Sequence, residues 1–205
     1  MRNQTHTSKP GVLLVLSAPT GGGKTTIARR LVTLDSGLRF SVSHTTRSPR
    51  PGEAPGADYH FVTPEAFGQM ASRGEFLEWA EVHGHRYGTH FSERDAAFAA
   101  GRDLVLDIDV QGGLQVKRAD PLAVLVFILP PSLEVLTERL RGRAGEPGFD
   151  LQRRLATAEV ELELAIQYDY NVLNEDLGQA VEQVRCILES ARLRPGHCES
   201  ERSRL

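Results

Sequence analysis

The feature that most constrains this 205-residue chain is Ala18-Pro19-Thr20-Gly21-Gly22-Gly23-Lys24-Thr25, together with what flanks it. Before it stands Val12-Leu13-Leu14-Val15-Leu16, a continuous apolar run of the kind a strand shows when both faces are buried. After it, Ile27, Ala28, Leu31 and Val32 fall at helical spacing. Strand, Gly-rich turn and helix are the context of a phosphate-binding loop. A helix N-terminus leaves backbone N–H groups unpaired, and its dipole favours an anion. Consecutive glycines let the backbone curl close to a phosphate without Cβ collisions. Lys24 can reach terminal phosphates, and Thr25 can offer its hydroxyl to Mg²⁺. The usual pattern opens on Gly, whereas this chain has Ala18, which requires a negative φ there. The alternative, a Gly-rich turn that binds nothing, leaves the strand, the helix and Gly-Lys-Thr as coincidence.

The length fits one domain with small inserted subdomains. With 40 % apolar and 25 % charged residues the composition is that of an ordinary globular protein, and a net charge of −3 argues against general nucleic-acid affinity. Lys9, Lys24 and Lys117 are the lysines, and every other basic residue is arginine. Arginine suits bidentate phosphate recognition, although codon usage is the plainer account of most of them. Cys186 and Cys198 lack metal-ligand spacing and read as a reduced pair. No apolar run is long enough for a membrane helix, and the first ten residues show no apolar stretch of signal-peptide type.

Along the chain, Arg39 to Ser43 reads as a short strand leading into Ser43-His44-Thr45-Thr46-Arg47-Ser48-Pro49-Arg50-Pro51-Gly52-Glu53. Its prolines make this a loop, with Arg47 and Arg50 placed to fork onto one phosphate or simply to be solvated. Residues 57–62 read as a strand. Thr63-Pro64-Glu65 opens a helix that ends before Gly74, and residues 75–82 form a further strand. Residues 83–89 read as a loop whose His83 and His85 lack a third metal ligand. A helix is expected over 92–100, capped by Ser92 and stopped by Gly101. Leu104 to Asp109 is a second buried strand, and strand periodicity would put Asp107 and Asp109 on one face. Acids at a strand's carboxyl end beside a phosphate loop are where a nucleotide's Mg²⁺ is held; the alternative is a pair of solvated acids. Residues 123–129 form a third buried strand, and Ser132 caps a helix carrying Leu136 and Leu140. The Gly/Pro-rich stretch after Arg139, Arg141 and Arg143 is a candidate mobile lid. A long helix over 151–168, a short strand over 171–174 and an amphipathic helix over 177–193 complete the chain. Strands alternating with helices imply a mostly parallel sheet flanked by helices, an α/β architecture.

The chain resembles the guanylate kinase family over residues 10–192. The resemblance rests on the phosphate loop and on Ser41 to Arg50, Asp58-Tyr59-His60-Phe61-Val62, Phe76-Leu77-Glu78-Trp79-Ala80, Tyr87-Gly88-Thr89, Leu106 to Gly112 and Asn174-Glu175-Asp176, in that order. It implies a P-loop kinase fold of the nucleoside monophosphate kinase type, with a core (10–42, 101–138, 156–192), an inserted GMP-binding subdomain (43–100) and a lid (139–155). Residues 1–9 and 195–205 would be loose tails. It implies transfer of the γ-phosphoryl of ATP to GMP or dGMP. Ala18, Pro19, Thr20, Gly21, Gly22, Gly23, Lys24 and Thr25 would hold ATP, with Asn174 near adenine. Arg47, Arg50, Tyr59 and Tyr87 would hold the GMP phosphate, and Ser43, Glu78, Thr89 and Asp109 would read guanine. Thr25 and Asp107 would hold Mg²⁺, partly through water. Lys24, Arg47, Asp107, Arg139, Arg143 and Arg154 would do the catalytic work on the transferring phosphoryl. Thr89 stands where the family more often has Ser, and Ala144 to Phe149 replaces a more acidic lid stretch. The resemblance further implies a cytoplasmic monomer or small homo-oligomer with neither nucleic acid nor membrane as partner. Two rivals share the fold: a binding module without catalysis, which has no need of Lys24, and a kinase of a sugar phosphate, which has no need of Glu78.

Overall fold

All five residues of Leu13–Ser17 are buried, and they form β1, the middle strand of a five-stranded sheet. The computed structural model describes residues 11–82, 84–142, 150–195 and 197. In the sheet, β2 (Leu38–Phe40), β7 (Asp103–Asp107), β1, β8 (Val124–Leu129) and β9 (Tyr170–Leu173) lie side by side in that order, and every pairing is parallel. Side chains alternate across a strand, so β1 feeds two cores. Leu14 and Leu16 pack on the face covered by α1 (Lys24–Leu34) and α7 (Leu177–Arg192). Leu13 and Val15 pack on the other face, with Ala97 of α3 (Phe91–Ala99) and Val116 of α4 (Val110–Ala119). Burial on both faces is why β1 and β8 are apolar at almost every position. A pair of helices, α5 (Leu133–Arg141) and α6 (Leu151–Glu163), forms a third small cluster through Leu136, Leu140 and Ala158.

A second sheet is built within residues 44–90. Its order is β4 (His60–Phe61), β3 (His44–Thr45), β6 (His85–His90) and β5 (Phe76–Val82). Helix α2 (Pro64–Ser72) starts where Thr63 accepts from the Ala66 amide and stacks Phe67 on Phe76 with ring centroids 4.5 Å apart.

The structure corrects several expectations. Residues 85–90 are a strand rather than a loop: polar side chains line β6 because it pairs antiparallel to β5, and Gly84 turns the chain at φ 80°. A Cβ at Gly88 would stand 2.9 Å from Trp79 Cβ, so glycine here serves a close strand approach. The cap of α3 is His90, whose Nδ1 accepts from the Ser92 amide at 3.1 Å. The strand before Asp109 ends at Asp107, and Asp109 instead caps α4 by accepting from the Gly112 amide at 2.8 Å. Two glycines at the start of α4 weaken its helical signal, so the sequence did not announce it. The expected helix over 151–168 breaks after Glu163 into a 3-10 turn, Leu164–Gln167. The strands expected over 39–43 and 57–62 shrink to Leu38–Phe40 and His60–Phe61. The stretch 143–149 and His83 lie outside the described residues.

Asp103 ties the first strand to the last helix. Its Oδ1 accepts from the Val12 amide at 2.7 Å and its Oδ2 from Arg192 Nε at 2.6 Å, while Arg192 also donates to Asp35 at 2.7 Å. Asp103→Ala strips the acceptor from a buried amide, and we expect urea denaturation to show a loss of about 2 kcal/mol. A loss below about 0.5 kcal/mol, the range of ordinary surface substitutions, would show that the tie carries little.

Candidate active site

The carboxyl ends of β1, β7 and β9 open into one cleft of about 620 Å³, in keeping with the placement of ligand sites in parallel sheets. One wall is the loop that follows β1. Gly21 and Gly23 adopt φ of 89° and 94°, values an L side chain rarely takes. Each glycine is also required by its surroundings. A Cβ at Gly22 would meet Ala18 Cβ at 2.7 Å, and one at Gly23 would meet Asn174 Nδ2 at 2.5 Å. Ala18 is itself buried in the core with Ile27 and Ala28, so its methyl is accommodated by the bare backbone of Gly22. Asn174 donates to the Gly22 carbonyl at 2.9 Å and braces the loop from β9. Helix α1 has Gly23 as its N-cap and no capping side chain, so its first amides face the cleft as an anion cradle.

Lys24 and Thr25 open α1 and meet Asp107 at the end of β7. The Lys24 ammonium lies 3.3 Å from Asp107 Oδ1, and the Thr25 hydroxyl bonds to Asp107 Oδ2. Burial works to lower the Lys24 pKa, but Asp107 and then Tyr59 outweigh it and hold the ammonium above its usual value. A hydroxyl and a carboxylate side by side are oxygen donors of the kind Mg²⁺ prefers. Asp107 Oδ1 is buried and faces the Lys24 ammonium, so it is already a site for positive charge, with a lone pair left over for a cation. The donor set therefore fits Mg²⁺. Among the described residues no group of three or more His, Cys, Asp or Glu converges as a metal site. His85 is exposed in β6.

The second sheet supplies the opposite wall. Glu78, on β5, is 4 % exposed, with Oε1 accepting from the Thr89 amide at 2.8 Å across the β5–β6 pairing. Its Oε2 lies where a Cβ at Gly112 would be only 2.5 Å away, so the carboxylate reaches α4. Ser43 and Thr89 hydroxyls lie 3.2 Å apart beside it. Thr89 is fully buried and supports Ser43 and Glu78 from behind, whereas Ser43 and Glu78 line the cleft. Asp109 reaches the same cleft from the cap of α4. Burial, assisted by the nearby Asp109 charge, pushes Glu78 up to about 7 against the hydrogen bonds from Thr89. Burial likewise raises Asp109, against the Gly112 amide. Two acids are thus held where water stabilises their charge poorly.

Below this pair the same sheet gathers Arg47, Arg50, Tyr59 and Tyr87. Arg50, Tyr59 and Tyr87 line the cleft. Arg47 is set back: its guanidinium sits 5.4 Å from the Tyr59 ring centroid and 5.9 Å from that of Phe61. Both of its terminal nitrogens are held by Glu53, at 3.0 and 2.8 Å. The Arg47 hydrogen bond keeps the Glu53 carboxyl below its usual range. Sequence reasoning quoted Glu53 without giving it a part. Its signal was its place six residues after Arg47 across a Pro-Gly turn, which folds the two together.

Arg139 on α5 and Arg154 on α6 also line the cleft, the first within 3.9 Å of the Cβ position at Gly23. Arg143 lies outside the described residues. Of the residues singled out from sequence and described, only Arg47 and Thr89 stand behind the cleft surface; Ala18 lies under the loop itself. Gly112 was given no part, because its importance lies in what packs against it.

The guanylate kinase family model matches residues 11–191. A guanylate kinase of Syntrophotalea carbinolica is 47 % identical over 95 % of this chain and 93 % of its own length. A guanylate kinase of Anaeromyxobacter dehalogenans is 48 % identical over 96 % of this chain and 88 % of its own. Among solved structures, that of guanylate kinase from Anaplasma phagocytophilum superposes with a TM-score of 0.75 at 34 % identity, covering 92 % of this chain and 90 % of that one.

A carboxyl raised to about 7 in the fold binds a proton that the unfolded chain releases near its usual 4.5. Stability from neutral Glu78 is therefore present below the unfolded value and lost as pH rises through about 7. Glu78→Gln should remove that loss, gaining on the order of 3 kcal/mol relative to the native protein between pH 5 and 8. Paired urea titrations at the two pH values check it; parallel pH dependences would mean Glu78 ionises without cost.

Proposed function

The chain belongs to the guanylate kinase family, and from that premise we propose how its two cleft walls divide the work between ATP and GMP. The reaction is transfer of the γ-phosphoryl of ATP to GMP. Residues 18–25 take the ATP phosphates on loop amides and the α1 N-terminus, with Lys24 as the charge nearest the transferring group. Thr25 and Asp107 would hold Mg²⁺, which supplies charge neutralisation on the phosphates. Asn174 braces the loop and borders the adenine end of the cleft. Arg139 and Arg154, with Arg143 of the lid, offset charge on the phosphoryl in flight. The acceptor oxygen of GMP is already anionic, so positioning and charge suffice and no general base is needed.

The GMP wall is the sheet within 44–90. Arg50, Tyr59 and Tyr87 hold the GMP phosphate, and Arg47 joins them when the phosphate competes with Glu53 for its fork. The observation that carries the reading is the buried Glu78 carboxylate, fixed by the Thr89 amide and opening onto the cleft shared with the phosphate loop. Guanine offers N1–H and an exocyclic amine as paired donors, which a carboxylate accepts together. Adenine offers neither there and would leave a buried carboxylate unpaired, so the site rejects it. Ser43, Thr89 and Asp109 complete the reader. On this reading residues 43–100 form the GMP-binding insert, 139–155 the lid and the remainder the core. Among the described residues no helix is long and apolar enough to cross a membrane, and we place the enzyme with its nucleotides in the cytoplasm.

A coupled ADP-release assay with ATP and Mg²⁺, offering GMP, dGMP, AMP, CMP and UMP in parallel, tests the reading. Turnover is expected with GMP and dGMP alone, and Glu78→Ala should lose or broaden it; AMP turned over as well as GMP would sink the guanine reader. Because the reader works as a carboxylate and Glu78 is raised to about 7, its ionised fraction grows with pH. The KM for GMP should fall roughly tenfold from pH 6 to pH 8, as a group titrating near neutrality dictates, and Glu78→Gln should flatten the profile. Chelation by EDTA should abolish turnover and excess Mg²⁺ restore it, since Thr25 and Asp107 provide oxygen donors alone.

A further inference from the structure

Two charged side chains to which the reaction above gives no part join the ATP side of the cleft to the GMP side. Arg29, on α1, donates through Nη2 to Asp58 Oδ1 at 2.6 Å. Asp58 lies in the turn just before β4, so the contact crosses from the core to the region of the second sheet. Neither residue lines the cleft, and what they can do depends on their neighbours.

Each partner stands beside a group that takes phosphate on the reading above. Arg29 is one turn beyond Thr25 on the same helix, about 6 Å further along its axis. Asp58 directly precedes Tyr59. The turn that carries this pair is closed on itself. The Asp58 amide donates to the Ala54 carbonyl at 3.0 Å, the Gly56 amide to the Tyr59 carbonyl at 2.9 Å, and Asp58 Oδ2 accepts from the Ala54 amide at 2.9 Å. A turn tied in this way shifts as a unit and carries Tyr59 with it. Tyr59 packs in turn on Tyr87, with ring centroids 5.9 Å apart, and on the Arg47 guanidinium. The Asp58 side chain is 23 % exposed against 62 % for Arg29, so the carboxylate is the fixed partner and the arginine the arm that reaches it.

We propose that Arg29 and Asp58 are a positioning pair: their contact sets the spacing between the helix that holds the ATP phosphates and the turn that holds the GMP phosphate. This rests on the assignment of Lys24 and Thr25 to ATP and of Tyr59 to GMP. Exposed ion pairs add little to folding stability, but a small bias is enough to shift a balance between two arrangements of a cleft. With both nucleotides bound, their own contacts to the two walls fix the spacing. The pair therefore acts earlier, on the capture of GMP, and its loss shows in KM for GMP rather than in kcat. The alternative is a solvated pair that positions nothing.

A charge series at the exposed Arg29 leaves the core intact. Steady-state kinetics with ATP and GMP are measured for Arg29→Lys, Arg29→Gln and Arg29→Glu. A double-mutant cycle joins Arg29→Gln to Asp58→Asn, which keeps an acceptor for the Ala54 amide. KM for GMP should stay within about twofold of native for Arg29→Lys and rise about three- to fivefold for Arg29→Gln. It should rise further for Arg29→Glu, where like charges face each other, with kcat and KM for ATP within about twofold throughout. The double variant should be no worse than the poorer single one, and the Arg29→Gln effect should shrink below about twofold in about 0.5 M KCl. Amide hydrogen exchange of the nucleotide-free protein over residues 54–59 should quicken for Arg29→Glu and not for Arg29→Lys. The proposal is overturned if Arg29→Glu leaves KM for GMP within about twofold, if Arg29→Lys is as impaired as Arg29→Glu, if the two single effects multiply in the double variant, or if exchange over the turn is unchanged. An inactive native protein would instead fail the functional reading, while the exchange data would still report whether Arg29 holds the turn.

Discussion

The hydrogen bond from Asn174 to the Gly22 carbonyl joins the first turn of the chain to its last strand, and the site depends on that closure. The turn has no room for side chains: Gly22 backs onto Ala18 and Gly23 onto Asn174 itself. A loop this tight leaves its amides pointing outward, toward the carboxyl ends of the sheet. Because β1 is the middle strand and buried on both faces, the loop rests on the centre of the core. Preorganised amides of this kind need little reordering when a phosphate arrives.

Charge is distributed unevenly around that loop. Lys24 is held as an ammonium by Asp107, whereas Glu78, Asp109 and Glu161 are all pushed upward by burial. The acids are held where ionisation is costly until a partner arrives. Guanine would provide such a partner for Glu78, with paired N–H donors. Arg47 shows the converse arrangement, since Glu53 already fills its fork. A phosphate dianion must outcompete one carboxylate, which favours a ligand of higher charge.

The legible parts of the sequence were those governed by local rules. The run 12–16, the Gly-Lys-Thr turn, the Thr63-Pro64 helix start and the apolar run 123–129 all appear in the structure as the pattern predicts. The all-parallel five-stranded sheet follows from strands alternating with helices. The failures share a cause. Strand β6 carries His85, Arg86 and His90, which no propensity marks as a strand, and it forms because β5 offers a paired edge. Helix α4 begins Val110-Gln111-Gly112-Gly113, a poor helix by propensity. It forms with glycine there because Glu78 presses on Gly112 and Tyr168 on Gly113, where a Cβ would lie 2.5 Å from each side chain. Tertiary packing overrode local preference in both places.

The sequence by itself determined the chemistry available: a Gly-Lys-Thr loop after an apolar strand, acids near a strand end, two arginines three residues apart, and a glutamate within an apolar run. Motif order over residues 10–192 was enough to carry the family resemblance. Only the tertiary structure decided which groups meet. Asp109 reaches the cleft from a helix cap rather than from a strand face, and Thr89 acts on Glu78 from behind. Glu53 lies in the Arg47 fork. Motifs encode residue types at fixed spacing. The fields that raise a carboxyl and the contacts that exclude a Cβ depend on residues brought together from distant parts of the chain, and spacing does not record them.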